Sequence, residues 1–205
     1  MNTVLVTGFE PFDGASINPS AEIAKRLDGR RFGDCEVHAA VLAVQHLAAA
    51  AGVQALVGAH SPIAVVHLGL AAGRAQIALE RIAINVMDYP IPDNEGYQAC
   101  DEPCVSGGPA AYFSTLPLRA MLDALRGAGV PAYLSDTAGT YLCNFVMYTT
   151  LHTVAAQAKP PRAGFIHLPL LPSMVIAGDR EQPSMDLALM LRGVEVALDA
   201  LLGGP

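Results

Sequence analysis

The 205-residue chain predicts an α/β fold, built as one domain around a largely parallel sheet. Three observations carry this. Short runs rich in Val, Ile and Leu alternate with segments of helical length, the order that parallel strands and crossover helices require. The first run, residues 3–8, is apolar on both faces, as a central strand must be. No Pro/Gly/Ser-rich linker, charge block or internal repeat divides the chain, and its length suits one well-packed core.

The elements follow in order. A strand over 3–8 opens the chain, and Asn18-Pro19 then starts a helix, with Asn18 as cap and Pro19 at the first helical position. Gly29 ends that helix. Strands are expected near 35–43, 63–69 and 76–87, with an alanine-rich helix over 46–59 between the first two. The stretch from Asp88 to Leu116 carries several Pro and Gly without a sustained period, which predicts a lid, binding loop or interface element. A helix near 117–127, a strand at 131–135, a helix over 142–158, a strand at 163–168 and a helix over 184–202 complete the chain. Gly8–Asn18, Gly69–Arg74, Asp136–Cys143 and His167–Pro172 all leave C-terminal strand ends, the edge where open α/β sheets bind ligands.

Bulk properties exclude several functions. A net charge of −7 with no basic run argues against nucleic acid or an anionic membrane as partner. The apolar stretch 39–59 contains Gln45, His46 and Gln54, which are costly in hydrocarbon, so it reads as a strand and helix and not as a membrane span. The N-terminus shows no signal-peptide pattern, and a cytoplasmic location is expected. In that reducing compartment Cys35, Cys100, Cys104 and Cys143 should form no disulfide framework. Neither Cys100-x3-Cys104 nor Cys35-x2-His38 is the paired pattern of structural zinc, so no metal is expected. Gly8 and Gly14 follow the first strand, but Pro11 interrupts that loop and no phosphate-binding glycine motif occurs, so no nucleotide or other cofactor is expected. Hydrophobic residues make up 52% of the chain and charged residues only 15%, which predicts a surface partly covered in an oligomer.

The chemistry concentrates at Ser135-Asp-Thr-Ala-Gly-Thr-Tyr-Leu-Cys143-Asn144. A small-residue turn delivers one cysteine to the first turn of a helix. Met147, Leu151, Val154 and Ala158 share its stripe, so Cys143 points inward. A helix N-terminus favours the thiolate and is expected to lower the thiol pKa. His167 lies at the end of a short apolar strand, which makes Cys143 and His167 a candidate nucleophile–base pair. The alternative is a cysteine that only packs and a histidine that is only hydrogen-bonded in place. Glu80 shares the phase of Ala78, Ile82, Ile84 and Val86 in the strand over 76–87, so its carboxylate must find a partner there.

Longer blocks extend this pattern. Val4–Phe12 with Ile17–Ser20, Leu79–Asn85, Ile91–Gly96, Gly108–Pro117, Thr137–Asn144 and Gly164–Pro169 together resemble, in order, the pyroglutamyl peptidase family, also called pyrrolidone-carboxylate peptidases. The resemblance spans residue 4 to about residue 172. It implies a central mixed sheet with helices on both faces. It also implies a cysteine exopeptidase that removes an N-terminal pyroglutamyl residue from peptides. By resemblance Cys143 is the nucleophile, His167 the base and acid, and Glu80 the third member of a triad. Phe9, Phe12, Asn18, Leu70, Tyr141 and Leu142 fall at positions that line the lactam pocket in such proteins, and the assembly implied is a homo-oligomer, a dimer or tetramer. Asn18 is equally explained as a helix cap. Three positions depart from the family's usual residues: Leu70 stands for Gln, Asp136 for Asn, and Pro90 for an arginine near the active site. Arg74 and Arg81 are the candidates to replace that cation. The alternative function is a low-turnover homologue that binds pyroglutamyl or related lactam ligands.

Overall fold

The computed structural model describes residues 2–176 and 181–203. Its elements are β1 (Asn2–Phe9), α1 (Pro19–Leu27), β2 (Arg31–Phe32), β3 (Cys35–Leu42), α2 (His46–His60), β4 (Ala64–Leu70), β5 (Ile77–Glu80) and β6 (Ile82–Ile84), followed by β7 (Ala111–Phe113), α3 (Leu118–Gly127), β8 (Ala132–Ser135), α4 (Leu142–Ala155), β9 (Arg162–Leu168), α5 (Pro172–Val175) and α6 (Leu187–Leu202). Seven strands form one sheet in the order β2-β3-β1-β4-β9-β5-β8. The β1/β3, β1/β4, β4/β9 and β5/β8 pairs are parallel, while β2/β3 and β5/β9 are antiparallel. The sheet is mixed and mostly parallel, as expected.

Period-2 alternation sorts its side chains into two cores. Val4 and Val6, Val66 and Leu68, Ile166 and Leu168, and Ile77 and Leu79 pack against α1, α3 and α6. Leu5, Val65, Ala163 and Phe165 face α2 and α4 on the other side. Helices therefore cover both faces, and a chain of this size closes as one α/β unit.

Local chemistry explains the boundaries that sequence located well. Asn18 accepts from the Ser20 backbone N–H at 3.0 Å, Pro19 opens α1, and Gly29 takes φ +73 just past its end. The run over 76–87 is the clearest departure. It is not one strand: the chain leaves the main sheet at Arg81, and β6 pairs instead with β7 inside the stretch read as loop. The phase changes with it. Ala83, and not Ile82 or Ile84, is fully buried. Apolar periodicity shows that a segment is extended, but not which neighbour it pairs with. The helix expected over 142–158 ends at Ala155, so Met147, Leu151 and Val154 are buried while Ala158 lies exposed beyond it.

Strand direction corrects a second expectation. The loops after β1, β4 and β9 leave one edge together, but β5 and β8 run opposite to β9, so the segment after β8 starts out the other way. It still reaches the site because β5 pairs only with Phe165, Ile166 and His167 near the end of β9.

Candidate active site

His167 is the second-to-last residue of β9 and lies on the face that α4 covers. Ala78 is its partner across the antiparallel pair, which puts Glu80 diagonally opposite on the same face, within reach of a long side chain. Glu80 Oε1 lies 2.7 Å from His167 Nδ1. A carboxylate accepts, so Nδ1 carries the proton and Nε2 keeps its lone pair. Burial disfavours the charge on Glu80, yet the hydrogen bond and charge of His167, with Ser135 and Arg74, hold its pKa below the ordinary value. Burial is also the leading influence on His167 and lowers its pKa; Glu80 opposes this and Arg74 adds to it. The pair at neutral pH is a carboxylate beside a neutral imidazole.

Cys143 reaches the same place from α4. Gly139 adopts φ +78, which a residue with a Cβ rarely does, and its N–H donates to Thr137 Oγ1 at 3.1 Å. That turn brings Tyr141 in extended, and the helix starts at Leu142 with no side-chain cap. The first-turn N–H groups have no intrahelical acceptor, and the backbone N–H of Cys143 acts on its own sulfur. The position of Cys143 is recorded by Gly69 of β4, the register partner of His167. A Cβ on Gly69 would lie 2.9 Å from Cys143 Sγ and 2.6 Å from the Phe165 ring. The sulfur therefore sits over the end of β4, beside His167.

The expected lowering of the thiol pKa does not hold. Burial pushes Cys143 up to about 12, with the Glu80 charge adding to it and Arg74 and its own backbone N–H opposing. One helix terminus is outweighed by the removal of water on all sides but the cavity. Cys143 and His167 thus line one cavity as thiol and neutral imidazole, with no hydrogen bond between them among the described residues.

The cavity they open into measures about 420 Å³. Every residue expected in the pocket lines it: Phe9, Phe12, Asn18, Leu70, Tyr141 and Leu142, together with Cys143 and His167. Glu80 stands behind His167, fully buried. Asn18 keeps both of its readings open. Its Oδ1 takes the Ser20 N–H and hydroxyl, and Nδ2 donates to the Glu10 carbonyl at 3.1 Å, which leaves one amide proton uncommitted. Ala71, Ala72, Arg74, Pro90 and Ala138 complete much of the wall. The loop carrying Pro90 is fastened over it, through Tyr141 donating to the Pro92 carbonyl at 3.1 Å and Thr140 to the Asp88 carbonyl at 2.6 Å.

Of the two arginines, Arg74 lines the cavity and pairs with Glu80 at 2.6 Å, whereas Arg81 pairs with Asp136 at the surface. Sequence reading missed Gly69, whose role is a missing side chain, and His67. His67 is fully buried beneath the site, bonded to Thr7 at 2.7 Å and Thr150 at 3.0 Å, and burial lowers its pKa to about 3. No local pattern marks either residue. Among the described residues, no group of three His, Cys, Asp or Glu is placed to hold a metal ion, and no helix is long and apolar enough to cross a membrane.

Comparison with known proteins agrees with this geometry. The family model for pyroglutamyl peptidase matches residues 2–203. The pyrrolidone-carboxylate peptidase of Pyrococcus furiosus is 46% identical over 202 residues, covering 97% of both chains. That of Escherichia fergusonii is 46% identical over 198 residues, covering 97% of this chain and 92% of its own. A mutant pyrrolidone carboxyl peptidase from P. furiosus superposes with a TM-score of 0.95 at 45% identity, with 98% of each chain covered. The enzyme of Thermococcus litoralis gives 0.96 at 42% identity, covering 99% of this chain and 94% of that one. A match that runs nearly end to end, in sequence and in fold, leaves one assignment: the chain belongs to the pyroglutamyl peptidase family.

Proposed function

We propose that the protein is a cysteine exopeptidase that removes an N-terminal pyroglutamyl residue from peptides through a thioacyl intermediate. The observation that carries this is the convergence of Cys143 and the Glu80-paired His167 on one largely apolar cavity. Cys143 is the nucleophile, His167 the base and then the acid, and Glu80 the group that fixes the imidazole. Because both reacting groups start neutral, proton transfer accompanies attack. His167 Nε2 takes the thiol proton as sulfur bonds to the pyroglutamyl carbonyl carbon. The oxyanion forms against the uncapped N–H groups of the first turn of α4. The C–N bond then breaks as His167 returns the proton to the leaving amine. Water, deprotonated by His167, attacks the thioester, and sulfur leaves and is reprotonated.

The pocket suits a small uncharged lactam. Phe9, Phe12, Leu70, Tyr141 and Leu142 offer apolar surface, and the spare Asn18 amide proton offers a donor to the ring carbonyl. No carboxylate lines the cavity among the described residues, so a free ammonium finds no anchor. The reading also includes a homo-oligomer, a dimer or tetramer, supported by exposed Leu47, Phe113 and Ile176. It includes a cytoplasmic location as well, supported by four free cysteines.

The test is release of a fluorophore from an L-pyroglutamyl amide by the wild type and by Cys143→Ala. Turnover by the wild type alone is expected. Equal background from both would overturn the peptidase reading in favour of lactam binding without turnover.

A further inference from the structure

We propose that Arg74 is a positioning residue for this reaction: it braces Glu80 against His167, ties both to the turn that delivers Cys143, and fixes a positive charge beside the thiol. The inference rests on the peptidase reading given above. Arg74 arises between β4 and β5, and its guanidinium is mostly covered, 6.0 Å over the Tyr133 ring. Nη1 lies 2.6 Å from Glu80 Oε1, and Nη2 donates to the Thr137 carbonyl at 3.1 Å. One planar group thus spans the two halves of the site. Thr137 belongs to the turn before α4, while Glu80 belongs to the His167 side.

The partners of Glu80 show why the brace matters. Oε1 receives both Arg74 and His167, while buried Oε2 has no hydrogen-bond partner among the described residues. Without Arg74 the fully buried carboxylate would lose its fixed positive partner and keep only His167 and the Ser135 hydroxyl, an arrangement that favours protonation or displacement. A protonated or displaced Glu80 no longer orients Nδ1–H.

The charge has its own effect. Arg74 is the one permanent cation lining the cavity among the described residues. It favours thiolate over thiol at Cys143, the state that attacks, and neutral over charged imidazole at His167, the state that can accept the thiol proton. The titratable or charged groups facing Cys143 are His167 on β9, Glu80 on β5, Arg74 before β5, and Tyr141 at the start of its own helix. Arg81, close in sequence, has no such contact; it meets Asp136 at the surface, 2.9 Å away.

Two readouts decide this. The first is the rate of Cys143 carbamidomethylation against pH, followed by peptide mass spectrometry, which needs no turnover. The second is kcat and KM on an L-pyroglutamyl amide. In Arg74→Met the alkylation midpoint should move to higher pH, and kcat should fall roughly 10- to 10²-fold with a smaller change in KM. Arg74→Lys should keep the midpoint near that of the wild type, because charge remains. It should recover only part of kcat, because one ammonium cannot span Glu80 and Thr137. Arg81→Met should match the wild type in both. A folded Arg74→Met with an unmoved midpoint and wild-type kcat overturns the proposal, and so does an equal loss in Arg81→Met. Should Arg74→Met fail to fold, full kcat in Arg74→Lys overturns it. An inactive wild type would sink the peptidase reading alone, because the alkylation profile still reports on Arg74.

Discussion

Gly69 leaves open the space that the Cys143 sulfur occupies: a Cβ on Gly69 would lie 2.9 Å from Sγ. A residue without a side chain, on the strand next to His167, lets the first turn of α4 descend onto the sheet. The seating of the thiol over the strand next to His167 is thus built from what β4 lacks as much as from what α4 carries.

Gly69→Ala should therefore injure both chemistry and stability. The added methyl meets the Phe165 ring and the sulfur, and overpacking of this kind costs about 1–3 kcal/mol. The expected result is a lower urea midpoint together with a kcat loss larger than instability explains at 25 °C. A variant with wild-type kcat would contradict the placement of Cys143.

Glu80→Gln tests the buried pair. Gln keeps the shape but lacks the charge that holds His167 and Arg74 at 2.7 and 2.6 Å. A drop in kcat on the order of 10²-fold or more, with KM little changed, is expected from steady-state kinetics. Unchanged kcat with weaker binding would contradict the orienting role. Because the Glu80 pKa is lowered on folding, its contribution to stability is present above the ordinary carboxylate value and lost as pH falls through the folded one.

Thiol labelling should separate exposure from function. Cys100 is exposed, whereas burial pushes Cys104 and Cys143 up to about 12. Brief iodoacetamide treatment near neutral pH should modify Cys100 without loss of activity. Inactivation should track the slower modification of Cys143. Activity lost while Cys143 is intact would remove it as nucleophile.

His67 predicts an acid-sensitive core. Its pKa falls from 6.5 unfolded to about 3 folded, so between those values the unfolded chain binds a proton that the folded chain refuses. Stability should be full above about pH 6.5 and decline by about 1.4 kcal/mol per pH unit as pH falls toward 3. His67→Gln, compared with wild type by urea midpoints at pH 7 and pH 5, should show a flatter decline. Parallel declines would show that another group governs it.

Association is checked by light scattering across micromolar concentrations. Exposed Leu47 and Phe113 are 71% and 67% accessible, and a mass of two or four subunits is expected. Phe113→Asp should lower that mass if the antiparallel β6/β7 pair is part of the contact. A fully active monomer in the wild type would exclude the oligomer.

Features encoded by local chemistry were legible along the chain. Apolar runs marked β1, β3, β4, β8, β9, α1 to α4 and α6 but not β2, β7 or α5; Asn18-Pro19 marked the start of α1, and the turn at Thr137–Gly139 marked the delivery of Cys143. The motif blocks also named the residues that line the cavity. Partner choice and solvation lay beyond local chemistry. Long-range packing set that β5 runs against β9, that the strand through Glu80 breaks at Arg81, and that Arg74 faces the site while Arg81 faces water. It also decided that Cys143 is held as a thiol and His67 as a neutral base. Periodicity is set by neighbours along the chain. A hydrogen-bond partner, an excluded water or a shifted pKa is set by groups brought together from far apart in sequence, as Glu80 and His167 are.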